Sequence, residues 1–218
     1  MNDIAPIDAM GQAAYGQKTF GYTPGKFAMW LFLASDAMGF IGLIAAYVVL
    51  RASVGGEWIP TTGDFGAMTA AGEPMEGLPG LDPILTGINT FILICSSYTM
   101  VRAVVATQKG NQKALKGWLL ATILGGATFL GIQVYEYQLL MDMGLHMNSH
   151  PYGASFYACT GFHGAHVLSG VIYLTCILIG AMRGKYGPDN ASPVELVGLF
   201  WHFVDLVWII IFTIIYLI

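Results

Sequence analysis

Apolar residues gather along this chain into five long runs, roughly 27–50, 84–106, 117–140, 156–182 and 196–218, with charged, Gly and Pro residues concentrated between them. A hydrocarbon core about 30 Å thick needs about 20 apolar residues at about 1.5 Å per residue, and every run meets that length. The pattern predicts an all-α, polytopic membrane protein, a bundle of five transmembrane helices over 27–218, preceded by an interfacial arm over 1–26. Five crossings put the termini on opposite sides of the membrane. Composition agrees: 56% of residues are hydrophobic and 10% charged, against about 25% charged in an ordinary soluble domain. No internal repeat is visible, and the Gly- and Pro-rich stretch 55–80 is the only long connection.

Charge sets the orientation. Lys18, Lys26, Arg102, Lys109, Lys113, Lys116, Arg183 and Lys185 fall on the side of the N-terminus, and only Arg51 falls on the other. Lys and Arg are retained in cytoplasmic loops, so the N-terminus is predicted to be cytoplasmic and the C-terminus outer. The stretch 52–83 carries Glu57, Asp64, Glu73, Glu76 and Asp82 without Lys or Arg, as that assignment requires. A net charge of −4 argues against nucleic acid as a partner. Asp3 and Asp8 stand where a secretory leader would be basic, so 1–26 reads as an arm. Cys95, Cys159 and Cys176 lie inside the runs with no Cys-x-x-Cys pair, and are expected to be packing residues rather than a disulfide or thiolate site.

The candidate chemistry lies in the ionisable residues within the runs, where a charge costs roughly 2.5–3.5 kcal/mol and needs a partner or a task. Asp36 and Asp205 fall near mid-depth, and His202 lies three residues before Asp205. Glu136 sits close to the outer end of the third run, and depth makes His163 its expected partner. His163 and His166 share a helical face, a spacing that metal sites in bundles use together with carboxylates from neighbouring helices. A di-metal site would, however, need two Glu-x-x-His repeats and about four carboxylates, and none of these acids is followed by His three residues later. A haem between facing His needs equal depth, and His163 lies nearer the outside than His202. The remaining reading is that these groups bond one another, a lipid head group or a helix of another chain. A transporter is the alternative class, with Asp36 and Asp205 carrying protons; it calls for repeats or broken helices, and Pro is absent from all five runs. Small residues at Gly39, Gly42, Gly125, Gly126, Gly131, Gly161, Gly164, Ala165, Ser169 and Gly170 predict close helix contacts. Trp30, Trp118, Trp201 and Tyr216, near run ends, are expected in aromatic belts.

Six blocks occur in one order: Phe32-Leu-Ala-Ser35-Asp36, Gly55-Gly56-x-Trp58-x-Pro60, Leu85-Thr-Gly-Ile-Asn89-Thr90, Gln133-x-x-Glu136-Tyr137, Thr160-Gly161-Phe162-His163-Gly164-x-His166-Val167 and Trp201-His202-Phe203-Val204-Asp205-x-Val207-Trp208. In these blocks the chain resembles subunit III of the haem-copper respiratory oxidases from Phe27 to its C-terminus. The resemblance implies a chain without catalytic residues, haem, copper or other metal of its own, whose partner subunits I and II hold the redox centres. It implies packing on subunit I, bound phospholipid in a cleft between helices, support of proton uptake, possible membership of a larger respiratory supercomplex, and a bacterial-type inner membrane. By position, Asp36 matches the family's intramembrane Glu, the carboxyl that reacts with carbodiimides, one methylene longer than the Asp here. Glu136, His163, His202 and Asp205 match buried polar positions near the lipid cleft, and His166 joins them as a structural or lipid-contact group. Seven-span members have two further helices forming the other wall of that cleft; the five-span form found in quinol oxidases lacks them, as this chain does.

Overall fold

A computed structural model of the chain describes residues 24–54, 58 and 83–217. The arm over 1–23, the loop acids and most of the Gly55–Pro60 block lie outside the described residues. Five long helices follow one another: α1 Pro24–Ser53, α2 Pro83–Gln108, α3 Gln112–Asp142, α4 Pro151–Met182 and α5 Ser192–Phe212, the last continued by a π-helical turn Thr213–Leu217. All five are long and apolar enough to cross a membrane. The helices overrun the apolar runs by several residues, because the helix persists through the interfacial layer until a local signal stops it.

Those signals are in the sequence. α1, α2 and α4 begin on Pro24, Pro83 and Pro151, and Pro193 lies in the first turn of α5; a missing N–H costs nothing there. α3 starts behind Asn111, whose Oδ1 accepts from the Ala114 amide at 3.1 Å, and α4 behind His150, whose Nδ1 accepts from Tyr152 N at 3.1 Å. α2, α3 and α4 each stop at a glycine with positive φ, Gly110, Gly144 and Gly184. The following amide reaches back five residues each time, Asn111 to Ala106, Leu145 to Leu140 and Lys185 to Gly180, which is the Schellman closure that left-handed Gly permits.

Consecutive helices run antiparallel, so Lys26, the α2–α3 turn and the α4–α5 connection share one end of the bundle, called here the basic end. α2 and α3 form the tightest hairpin, α5 packs on α1, α2 and α4, and α1 packs chiefly on α4 and α5. Half of the apolar stretch of α5 is buried within the bundle, against 17% for α1. α5 is therefore the central helix and α1 a peripheral one.

This arrangement corrects three expectations. Trp201 is a core residue rather than a belt residue, 1% exposed, with Nε1 donating to Ser96 Oγ at 3.0 Å. Tyr216 also turns inward, onto Glu136, because the wide π turn re-aims the end of α5; Trp30 is exposed and Trp118 half-buried. Of the cysteines only Cys159 packs in the core, Cys95 and Cys176 facing outward. The small residues divide: a Cβ at Gly125, Gly126, Gly164 or Gly170 would come within 3.0 Å of a neighbour, whereas Gly42 and Gly131 have nothing within 4 Å. Ala165 and Ser169 are exposed.

Candidate functional site

The six ionisable residues fall into four separate interhelix arrangements. Asp36 on α1 meets His166 on α4, with Oδ2 3.0 Å from Nε2 and the two side chains 16% and 15% exposed. The carboxylate oxygen lies off the ring N–H direction, so the contact is a close approach of two polar groups rather than an aligned hydrogen bond. His166 Nδ1 donates to its own helix, to the Phe162 carbonyl at 2.8 Å. Phe40 and Phe162 pack edge-on against the His166 ring at 5.1 and 4.6 Å between centroids, which shields the pair from lipid.

His163 points elsewhere. It is fully buried, its Nε2 donates to the Val204 carbonyl of α5 at 3.1 Å, and its ring lies 4.7 Å from Trp208 and 5.6 Å from Phe129. The expected Glu136–His163 contact gives way to two others. Glu136, 4% exposed, accepts from Thr86 Oγ1 at 3.3 Å and Tyr216 Oη at 3.0 Å, tying α3 to α2 and to the π turn. The Asp205 carboxyl faces Ser97 on α2 and His202 one turn back.

His163 and His166 thus diverge, one toward α5 and one toward α1. Among the described residues no three His, Cys, Asp or Glu side chains gather where a metal would sit. Three residues that depth arguments overlooked complete the polar framework. Gln133 Nε2 donates to the Thr160 carbonyl at 2.9 Å and to Tyr137 Oη at 3.2 Å, and Tyr137 Oη lies 2.6 Å from Thr160 Oγ1. Gly164 permits this α3–α4 clamp, since a Cβ there would stand 2.8 Å from Gln133 Oε1. Their signal was present in the fourth and fifth sequence blocks, where uncharged residues flank the acids and His.

Beside these contacts runs a groove between α1 and α5. At the basic end a cavity of about 400 Å³ is bordered by Lys26 and Trp30 of α1, Glu195 and His202 of α5, and Val101, Val104 and Val105 of α2. A second, also about 400 Å³, shares Trp30 and His202 and continues along Ala37, Phe203 and Leu206. A third of about 380 Å³ shares those three and extends to Ile44 and Ile210. Shared walls make them one trough along most of the bundle. Lys26 and Glu195 close its basic end with a 2.6 Å ion pair, supported by Gln108 Nε2 donating to Glu195 Oε1 at 3.0 Å.

A family model described as cytochrome c oxidase subunit III matches residues 7–218. A probable cytochrome c oxidase subunit 3 of Nocardia farcinica is 39% identical over 85% of this chain and 84% of its own. Its counterpart in Mycobacterium tuberculosis is 37% identical over 86% and 85%. A probable quinol oxidase subunit 3 of Staphylococcus saprophyticus is 36% identical over 88% of both chains. Five membrane-crossing helices, buried polar contacts between them and similarity along nearly the whole length lead to one assignment: the chain belongs to the cytochrome c oxidase subunit III family and is a subunit of an oxidase complex.

Proposed function

We propose that this chain is the non-redox subunit of a proton-translocating haem-copper oxidase, acting through packing and electrostatics while partner subunits I and II hold haem and copper. In this reading it packs on subunit I, holds phospholipid along the α1–α5 groove, and keeps the proton-entry side of subunit I in shape. The basic end faces the cytoplasm of a bacterial-type inner membrane. Asp36, Glu136, His163, His166, His202 and Asp205 serve as interhelix and lipid-contact groups, and a helix of another subunit supplies the opposite wall of the groove.

The observation that supports this best is the trough itself. Its walls are apolar along α1 and α5, while Lys26, Trp30 and His202 stand at one end. That gradient matches a lipid, whose chains prefer the apolar length and whose head group is held where charge and aromatic rings collect. The test is to remove the chain from the purified complex and follow oxygen reduction through many turnovers. The stripped complex should begin near the normal rate and then inactivate, and re-addition with phospholipid should prevent the loss. Undiminished turnover without the chain would overturn the maintenance role.

A further inference from the structure

We propose that the α2–α3 hairpin carries a second lipid site, for an anionic phospholipid, with its phosphate on Arg102 and one acyl chain in the seam between the helices. The inference starts from the direction in which Arg102 points. Side chains on a helix lean toward its N-terminus, and α2 runs toward the basic end, so Arg102 leans away from that end and toward the middle of the bilayer. Its Nη1 accordingly donates to Tyr98 Oη, one turn deeper, at 3.2 Å, and its guanidinium lies over the Trp118 ring of α3 at 5.1 Å from the centroid. Arg102 sits about 9 Å from the end of α2 and Trp118 about 9 Å from the start of α3, so the two stand at one level. A cation this far down that leans inward does not snorkel to bulk water, and it needs an anion brought to it.

The chain supplies none. No Asp or Glu occurs between Pro83 and Tyr135, and among the described residues no carboxylate lies within ion-pair distance of Arg102. The same end of the hairpin adds Lys109, Lys113 and Lys116 and no acid of its own, the Glu195 carboxylate near it being taken up by Lys26 and Gln108. Arg102 is exposed, and a planar guanidinium braced on an indole offers paired N–H groups of the kind that phosphate oxygens accept.

The apolar half of the site continues along the same seam. A trough of about 210 Å³ runs between α2 and α3 along Phe91, Cys95, Thr99, Ala121 and Gly125. Thr99 precedes Arg102 by one turn and Ala121 follows Trp118 by one turn, so the trough opens directly beneath the cation. Close approach of the helices keeps it narrow, a Cβ at Gly125 falling 2.8 Å from Ser96 Cβ. A trough of that size admits an extended hydrocarbon chain but not a helix 10–12 Å across, which favours lipid over a partner subunit. This seam is formed by α2 and α3 and shares no lining residue with the α1–α5 groove.

The test counts lipids on the intact oxidase complex by native mass spectrometry in mild detergent, with phosphatidylglycerol and phosphatidylcholine supplied in turn. Arg102→Gln should retain phosphatidylglycerol about fivefold more weakly than the wild type and leave phosphatidylcholine unchanged, with Arg102→Lys intermediate. Ala121→Leu, which fills the trough and keeps the charge, should weaken retention of both lipids. Lys185→Gln, a basic residue on the other connection, should alter neither. Equal phosphatidylglycerol retention by wild type and Arg102→Gln would overturn the site, as would loss of a protein subunit in place of a lipid. Should Arg102→Gln fail to assemble, undiminished lipid on assembled Ala121→Leu would overturn it equally. None of these outcomes bears on turnover lifetime, the readout for the α1–α5 groove.

Discussion

Placing a single methyl group at Gly126 tests the packing of the whole bundle, because that position looks straight at Trp201, one of the two fully buried tryptophans of the core. A Cβ there would stand 2.5 Å from Trp201 Cη2, 3.1 Å from Cζ2 and 2.8 Å from Val171 Cγ2, where carbon atoms prefer about 3.5–4.0 Å. The ring has no easy retreat. Its Nε1 is held by Ser96 Oγ at 3.0 Å, and its opposite edge is confined by Gly170, where a Cβ would meet Cε3 at 2.9 Å. Overpacking of this kind costs about 1–3 kcal/mol, and swinging the indole out of the way would forfeit a buried hydrogen bond worth about 1 kcal/mol. The better helix propensity of Ala returns at most about 1 kcal/mol. Gly126→Ala should therefore destabilise the chain by about 1–3 kcal/mol, read as a lowered midpoint for its thermal release from the complex. Gly131→Ala, with nothing within 4 Å of the new methyl, gives the propensity gain alone and should be neutral or slightly stabilising. Trp201→Phe removes the atoms that clash, so the double variant with Gly126→Ala should cost less than the two single changes added. If Gly126→Ala proves as stable as Gly131→Ala, α3 and α5 are not as close as described and the placement of Trp201 is wrong.

The Asp36–His166 pair should show a coupling of about 0.6–1.7 kcal/mol in a double-mutant cycle of Asp36→Asn and His166→Gln, the range for polar contacts between membrane helices; additive losses in thermal release would refute the pairing. Tyr216→Phe removes one of the donors to the buried Glu136 and should cost about 1–3 kcal/mol, visible as earlier unfolding of α5 in hydrogen exchange; unchanged protection would place Tyr216 elsewhere. Lys26→Gln should change stability by less than about 1 kcal/mol, because its partly exposed pair with Glu195, at 34% and 22% side-chain exposure, is of the weak surface kind. A large loss of thermal stability on that substitution would give the pair a structural weight that its exposure denies it.

What the sequence made legible was one coordinate for each residue, its depth. Apolar runs located all five helices, and Pro at their starts and Gly at three of their ends set the stops. Depth alone matched Glu136 with His163, and the match failed because contact needs two further quantities, the rotation of each helix about its axis and the order of helices around the bundle. Rotation sends His163 toward Val204 and His166, one turn away, toward Asp36. Order sets the peripheral α1 beside α4 and α5, so its only mid-depth acid meets a residue 130 positions later in the chain. The same two quantities explain Trp201 and Tyr216. A belt assignment assumes that a helix shows lipid on some face near each end, but α5, whose mean hydropathy is the highest of the five, is enclosed by three neighbours. Its mid-span Asp205 and the carbonyl of Val204 then face other helices, which is why this single segment supplies the polar contacts to both α2 and α4 while α1 offers its outer face to lipid.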